Sequence, residues 1–310
     1  MPNPADPVAS LPTSRRSFLA RGAALAVGGV ALAGCGQQVY EQRLAETSAL
    51  FAHLQLLSEH LSGEWTDSVA AVRLPKQYQQ IAAPPPPPPG STPGTAVLDP
   101  RQPDFVNVEL PGLRAAFQAQ FGVAEEGAAE TKTILGHVYV LSNHYLGAPP
   151  PKPPPGAPVD GDAPAEEKLK PGDYAAHVLR LLAEGLRTTV KPGPNYNDWD
   201  RETFPRNLVA LFPAGGKNPF SSVEVRSATM SANVRDIPTE ISAFTLAEGE
   251  AQLMLVFVTP RDILPGEQFL LRRDYCLETL RLLNASLGAA AAPAGGGGPA
   301  APVGGAGIAL

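Results

Sequence analysis

The groups in this chain of 310 residues that could do chemistry are few: the thiols of Cys35 and Cys276, five imidazoles, and one loop where aromatic rings alternate with amides and carboxylates. His53 and His60 stand two helical turns apart, about 10 Å along an axis, too far to share one ion. His137 and His144 have the same spacing, which on an uninterrupted strand places them on opposite faces. Zinc needs several nitrogen, sulfur or carboxylate ligands converging on one point, so no metal site is expected. Ser142-Asn143-His144 brings a hydroxyl and an imidazole close in sequence but lacks the glycine-flanked serine turn of a hydrolase. No phosphate-binding loop, dinucleotide fingerprint or calcium loop occurs, and no cofactor is expected. In the loop Asn195–Asp200, Tyr196 and Trp199 lie beside Asp198 and Asp200. Aromatic faces next to such groups suit stacking on a sugar ring with hydrogen bonds to its hydroxyls. The competing reading is a turn-rich connection whose Trp199 plugs the core.

Cys35 has the most informative surroundings. Arg15-Arg16 is followed by Ser17-Phe18-Leu19, then by an uncharged stretch from Gly22 to Gly34 made of Ala, Val, Leu and Gly. Basic first, apolar next and small last is the polarity of an export signal. The apolar run is too short to cross a hydrocarbon core of about 30 Å, which takes roughly 20 helical residues. Arg15-Arg16 with Phe18-Leu19 resembles a twin-arginine export signal, and Leu32-Ala33-Gly34-Cys35 resembles a lipobox. This resemblance implies that residues 1–34 are a signal peptide cleaved after Gly34, that the Cys35 thiol receives a diacylglycerol, and that residues 35–38 form the lipidated link. Burial of acyl chains contributes about 0.8 kcal/mol per methylene, and two or more chains anchor stably. Gly36, where an inner-membrane retention signal has Asp, favours the outer membrane. The alternative, a core helix over residues 14–34 with a buried Cys35, is weakened by Gly22, Gly28, Gly29 and Gly34.

The chain has 24 basic and 30 acidic side chains, a formal charge of −6. Residues 1–34 hold Arg15, Arg16 and Arg21 against Asp6 alone, so cleavage leaves a more acidic protein. Such a surface disfavours nucleic acid, whose binding rests on neutralising phosphates, and gives acidic lipid headgroups no attraction. With Cys35 lipidated, Cys276 has no internal partner, and stability must come from the hydrophobic core; Cys276 is expected to be an inert buried side chain.

Residues 82–104 contain the run Pro84–Pro89, and residues 147–171 contain Pro149–Pro151 and Pro153–Pro155. Both read as extended insertions, stiff surface loops or ligands for aromatic-lined grooves. Residues 286–310 are an Ala/Gly/Pro tail without a charge, expected to be disordered. What remains, within residues 39–285, reads as one domain carrying both insertions.

Tyr40, Leu44, Thr47, Phe51, Leu54, Leu57 and Leu61 recur at steps of three and four, predicting a helix over 39–62 that packs on its own domain or forms a coiled-coil seam. Ser68–Leu74 and Phe105–Leu110 read as short strands, Leu113–Phe121 as helical, and Thr131–Tyr145 as one long strand or two. Asp173 is a plausible N-cap for a helix over Tyr174–Leu186. Ser222–Met230 reads as a strand; Thr239–Leu246 and Ala251–Thr259 pair as an antiparallel hairpin. A final helix over 267–284 presents Phe269, Leu270, Arg273, Cys276, Leu277, Leu280 and Leu283 along one side.

This order predicts an α+β fold, an antiparallel sheet covered by helices. A strand running into Arg73–Tyr78 and a terminal helix after the last hairpin resemble PsbP-like domains. Tyr40–Leu44 through Trp65, Arg73–Tyr78 and Phe257–Asp262 resemble uncharacterised lipoproteins of planctomycete bacteria, which implies an envelope location and no known activity. The expected role is a membrane-anchored, non-enzymatic module that binds or scaffolds an envelope protein on the periplasmic side; the alternative is a hydrolase of wall or exported polymers.

Overall fold

The computed structural model describes residues 37–85 (38 and 46 excepted), 99–124, 131–147, 169–205 and 222–287. Residues 39–45 and 47–60 are helical (α1) and run directly into strand β1, Leu61–Thr66. β2 (Ala70–Pro75) pairs antiparallel with β1 on one side and with β10 (Arg281–Leu282) on the other, closing a small three-stranded sheet. The main sheet is antiparallel and seven-stranded, in the order β3-β4-β5-β9-β8-β7-β6. Its strands are β3 Gln79–Gln80, β4 Leu113–Ala124, β5 Thr131–Ser142, β6 Asp200–Pro205, β7 Ser222–Val234, β8 Ile237–Glu248 and β9 Ala251–Pro260. Helices α2, Tyr174–Gly185, and α3, Phe269–Glu278, complete the α+β fold.

The centre of the main sheet is buried on both faces because β9 and the adjoining parts of β5 and β8 carry apolar side chains at odd and even positions alike, the pattern of a covered sheet. Val138, Val140, Leu253, Leu255, Phe257, Phe244 and Leu246 point into a core closed by α3, the small sheet and the end of α1. Their sequence neighbours Tyr139, Leu141, Met254, Val256, Val258, Ile241 and Ala243 point into a second core closed by α2, residues 105–110 and Trp199. All ten residues of β9 are buried.

The hairpin of β8 and β9 forms as expected, with Glu248 opposite Ala251 around Gly249 at φ +61°. Leu113–Phe121 is not helical. It is the first part of β4, where Ala115, Phe117, Ala119 and Phe121 alternate into one core while Ala116 enters the other. The helix formers Ala and Gln yield to pairing with β5 along the whole strand. Phe105–Leu110 is not a strand either. It is an irregular cover over the α2 core, held where Gln102 accepts a bond from the Leu110 N–H at 2.7 Å. The Pro-rich insertions lie mainly outside the described residues, but residues 99–104 are ordered by the Asp99–Arg101 ion pair at 2.7 Å.

Helix α3 is shorter than predicted, ending before β10, so that Leu270 and Leu283 are exposed while Cys276, Leu277 and Leu280 are buried. Asp173 stands at the N-cap of α2, but its side chain makes no capping bond. Gln252, from the start of β9, does that work: its Oε1 accepts the Ala175 N–H at 3.1 Å and its Nε2 donates to the Gly172 carbonyl at 3.0 Å. Asn143, next to β5, accepts the Gln252 N–H at 2.8 Å and donates to the carbonyls of Glu250 and Pro171. Two buried amides thus fasten the start of α2 to the centre of the sheet.

Gly112 enters β4 at φ +70°, and a Cβ there would fall on the Ser142 carbonyl and crowd the Tyr174 hydroxyl. Gly249 has a similar φ with nothing near it. Left-handed backbone costs a residue with a Cβ about 1–2 kcal/mol, and overpacking adds about 1–3 kcal/mol. Urea unfolding should therefore show Gly249→Ala losing about 1 kcal/mol and Gly112→Ala at least about 2 kcal/mol; equal losses would contradict the close approach at Gly112.

Candidate functional site

Arg15, Arg16, Phe18, Leu19, Leu32, Ala33, Gly34 and Cys35 lie outside the described residues, which begin at Gln37. Among the described residues no helix is long and apolar enough to cross a membrane. Helix α1, as described, begins at residue 39, four residues after Cys35 in the sequence.

Its apolar residues separate into two stripes. Leu50 and Leu57 are buried, Leu54 is half-buried, and Leu61 at the following strand is buried, so this side meets the body. Tyr40, Leu44 and Phe51 were expected on the same face; instead they are 66, 57 and 66 % exposed, as is Val39 at 51 %. At 3.6 residues per turn, positions 40, 44, 47 and 51 fall within an arc of roughly 60° that adjoins the arc holding 50, 54 and 57. The domain covers only the second half of α1, and the outer stripe extends along about 16 Å of helix.

The body grips α1 through aromatic and ionic contacts. His60 stacks on Tyr275 of α3 with centroids 5.6 Å apart, and His53 meets the same ring edge-on at 6.0 Å. His53 Nε2 lies 2.9 Å from Glu278 Oε2, with both side chains largely buried. Burial raises the Glu278 carboxyl above its ordinary range, against the opposing attraction of His53. The two histidines whose spacing suggested no shared ion thus serve the helix interface. Among the described residues, no three His, Cys, Asp or Glu side chains gather to hold a metal.

The loop Asn195–Asp200 does not offer two free aromatic faces. Trp199 is 3 % exposed and belongs to the core under α2. Tyr196 meets it edge-on at 5.2 Å, and the Arg226 guanidinium sits 4.9 Å over the Tyr196 ring while donating to the carbonyls of Tyr196 and Asn197. Asp198 accepts from the Asn195 amide at 3.1 Å, and Asp200, exposed, begins β6. The loop is a structural plug, because the indole gains more by burial than it could gain at the surface.

Ser142 and His144 do meet, with Oγ 2.6 Å from Nδ1. The Asn284 carbonyl, 2.7 Å from Nε2, can only accept, so Nε2 carries a proton, and Ser142 Oγ also donates to the Gln252 carbonyl at 3.0 Å. Both residues are buried. The pair ties the end of β5 to the C-terminal strand, and a carbonyl stands where a triad would have a carboxylate.

A recess of about 400 Å³ that no sequence signal announced lies between the end of α2 and the turn of β7 and β8, lined by Arg187, Thr188, Ser231, Asn233 and Arg261 among others. Among the described residues, none lining it carries a carboxylate or an imidazole.

The raised Glu278 carboxyl gives a pH test. The folded state holds that proton more tightly than the unfolded chain, so this group's contribution to stability is present below the ordinary carboxylate pKa and is lost as pH rises through the raised value. Between about pH 4 and about pH 7, Glu278→Gln should gain stability relative to the unsubstituted protein in urea unfolding; a relative loss over that window would show that attraction to His53 outweighs burial. Compared with protein-family models and with curated proteins, the chain matches none, and the reading of its role rests on its own residues.

Proposed function

We propose that this chain is an exported bacterial lipoprotein, held at the envelope by acyl chains on Cys35, whose α+β body binds or scaffolds a partner protein and is not itself an enzyme. The Arg15-Arg16 signal and the Leu32–Cys35 lipobox support export and anchoring. The observation that carries the binding role is the outer stripe of α1. Tyr40, Leu44 and Phe51 stay in water although the adjoining side of the same helix, at Leu50, Leu54 and Leu57, is fastened to the body. Fully burying a side chain of this size contributes about 1.5–3 kcal/mol, so the stripe holds enough unspent hydrophobic energy to take up a complementary apolar face.

Its place selects the kind of partner. With the described helix beginning four residues after Cys35 in the sequence, Phe51 lies about 18 Å along it from its start. A protein embedded in or lying on the same bilayer can present an apolar helix at that height, in the manner of helix-in-groove recognition. The acidic body gives no second attraction to anionic lipid, so the acyl chains hold the protein while the stripe selects the partner.

A photo-crosslinking residue placed at Leu44 or Phe51 in cells should capture one envelope protein, while the same residue at Ala45 or Ala52, exposed on another side of α1, should not. Equal capture from both sides, or adducts to lipid alone, would contradict a partner-binding stripe.

A further inference from the structure

The segment that leaves α2 runs along the part of β7 that β6 leaves open. Pairing between β6 and β7 stops at Asp200 opposite Ser227, so the outer edge of β7 beyond that point has backbone groups to satisfy. Residues 188–191 satisfy part of them. Lys191 and Thr229 exchange both N–H···O bonds at 2.8 Å, and the Thr188 hydroxyl donates to the Ser231 carbonyl at 2.6 Å. To reach this edge the chain leaves α2 through a left-handed residue. The Thr188 N–H reaches back to the Ala183 carbonyl at 2.9 Å, with Arg187 before it at φ +53°. Glycine is the usual residue in such a turn, having no Cβ to strain. Here the position is given to an arginine, which lines the recess between α2 and the turn of β7 and β8.

Strand register supplies the rest of the lining. Asn233 faces Pro238 across β7 and β8, and Thr239 faces Pro260 across β8 and β9. The Arg261 N–H carries that ladder one step further, onto the Pro238 carbonyl at 3.0 Å. Ser231, Asn233, Pro238 and Arg261 thus reach one recess from the ends of three neighbouring strands.

Two exposed arginines therefore share a cavity of about 400 Å³, a volume that suits a small-molecule ligand. Among the described residues neither guanidinium has a hydrogen-bond or ion-pair partner. Glu184 and Asp262 stand close to them in sequence, but neither lines the recess, and Glu184 lies 4.0 Å from Arg180 instead. The negative end of α2, worth about half a charge, favours one cation at most. Its carbonyls at Leu182, Ala183 and Glu184 already accept N–H groups from residues 186–188. Two positive charges thus stand together in a protein whose net charge is −6. The Ser231 hydroxyl and the Asn233 amide, exposed and without a partner among the described residues, add neutral donors and acceptors.

We propose that this recess binds a small anionic ligand, a phosphate ester or carboxylate that also carries hydroxyl groups. Arg187 and Arg261 hold the anion, for which the guanidinium fork is suited, and Ser231 and Asn233 meet the hydroxyls. The site shares no residue with the α1 stripe and does not depend on acylation of Cys35.

Titration calorimetry of the full chain with glucose 6-phosphate, glucuronate and glucose, at constant ionic strength, tests this. At least one of the two anions should bind saturably, the first reporting a phosphate ester and the second a carboxylate, and glucose should not. Arg261→Gln should weaken the bound anion at least about tenfold, the loss of one charged hydrogen bond. Arg187→Gly separates binding from folding, because glycine suits φ +53° while the guanidinium is removed. It should weaken the anion about tenfold or more with no fall in the thermal midpoint measured without ligand. Arg201→Gln, on β6 outside the recess, should bind as the unsubstituted chain does. No saturable binding of either anion, glucose bound as tightly as the anions, or an affinity left unchanged by Arg187→Gly and Arg261→Gln would overturn the site.

Discussion

A strand without a wet side organises this molecule. Every residue of β9 from Ala251 to Pro260 is buried, so each of its faces must be covered, and neither β5 nor β8 can leave its side. Pairing with β5 over His137–Ser142 and with β8 over its full length places Tyr139, Val140, Ile241 and Phe244 at the centres of two cores divided by one sheet. Transfer of apolar area at about 25 cal/mol per Å² is the driving term, and here it acts on both faces at once. The layers follow: α3, the small sheet and half of α1 on one face, and α2 with its irregular cover on the other.

The polar groups at the end of that strand orient what the apolar ones merely attract. Gln252 and Asn143 are buried amides with their donors and acceptors occupied, and they join the start of α2 to the sheet. A hydrophobic face alone would let α2 rotate or slide; a satisfied buried network does not. His144, with Ser142 and the Asn284 carbonyl, does the same for the C-terminal segment. The arrangement that most resembles catalytic chemistry in the sequence is thus part of the scaffold.

Strands with strong β-branched or alternating character, such as Val223–Val225 and Ala251–Thr259, were legible because local preference and tertiary role agree. Leu113–Phe121 misled because the spacing of its large residues, Leu113, Phe117 and Phe121, suits a helix as well as a strand, and only the partner strand decides. Asp173 was a reasonable cap that lost its role to Gln252, a residue 77 positions from the Ala175 amide it caps and invisible to local reading. The α1 stripe was seen, but its division into a docked side and an open side depends on where the body ends.

In the proposed account, acyl chains on Cys35 hold the body at the bilayer and α1 offers its exposed apolar residues to a partner there. The account stands on the chemistry of one sulfur. Mass measurement of the N-terminal peptide of the protein recovered from the cell envelope tests it most directly. The account predicts a peptide that begins at Cys35 and carries diacylglycerol, with or without an acyl group on its amine. A peptide that runs unbroken through Gly34 into an unmodified Cys35 would contradict it.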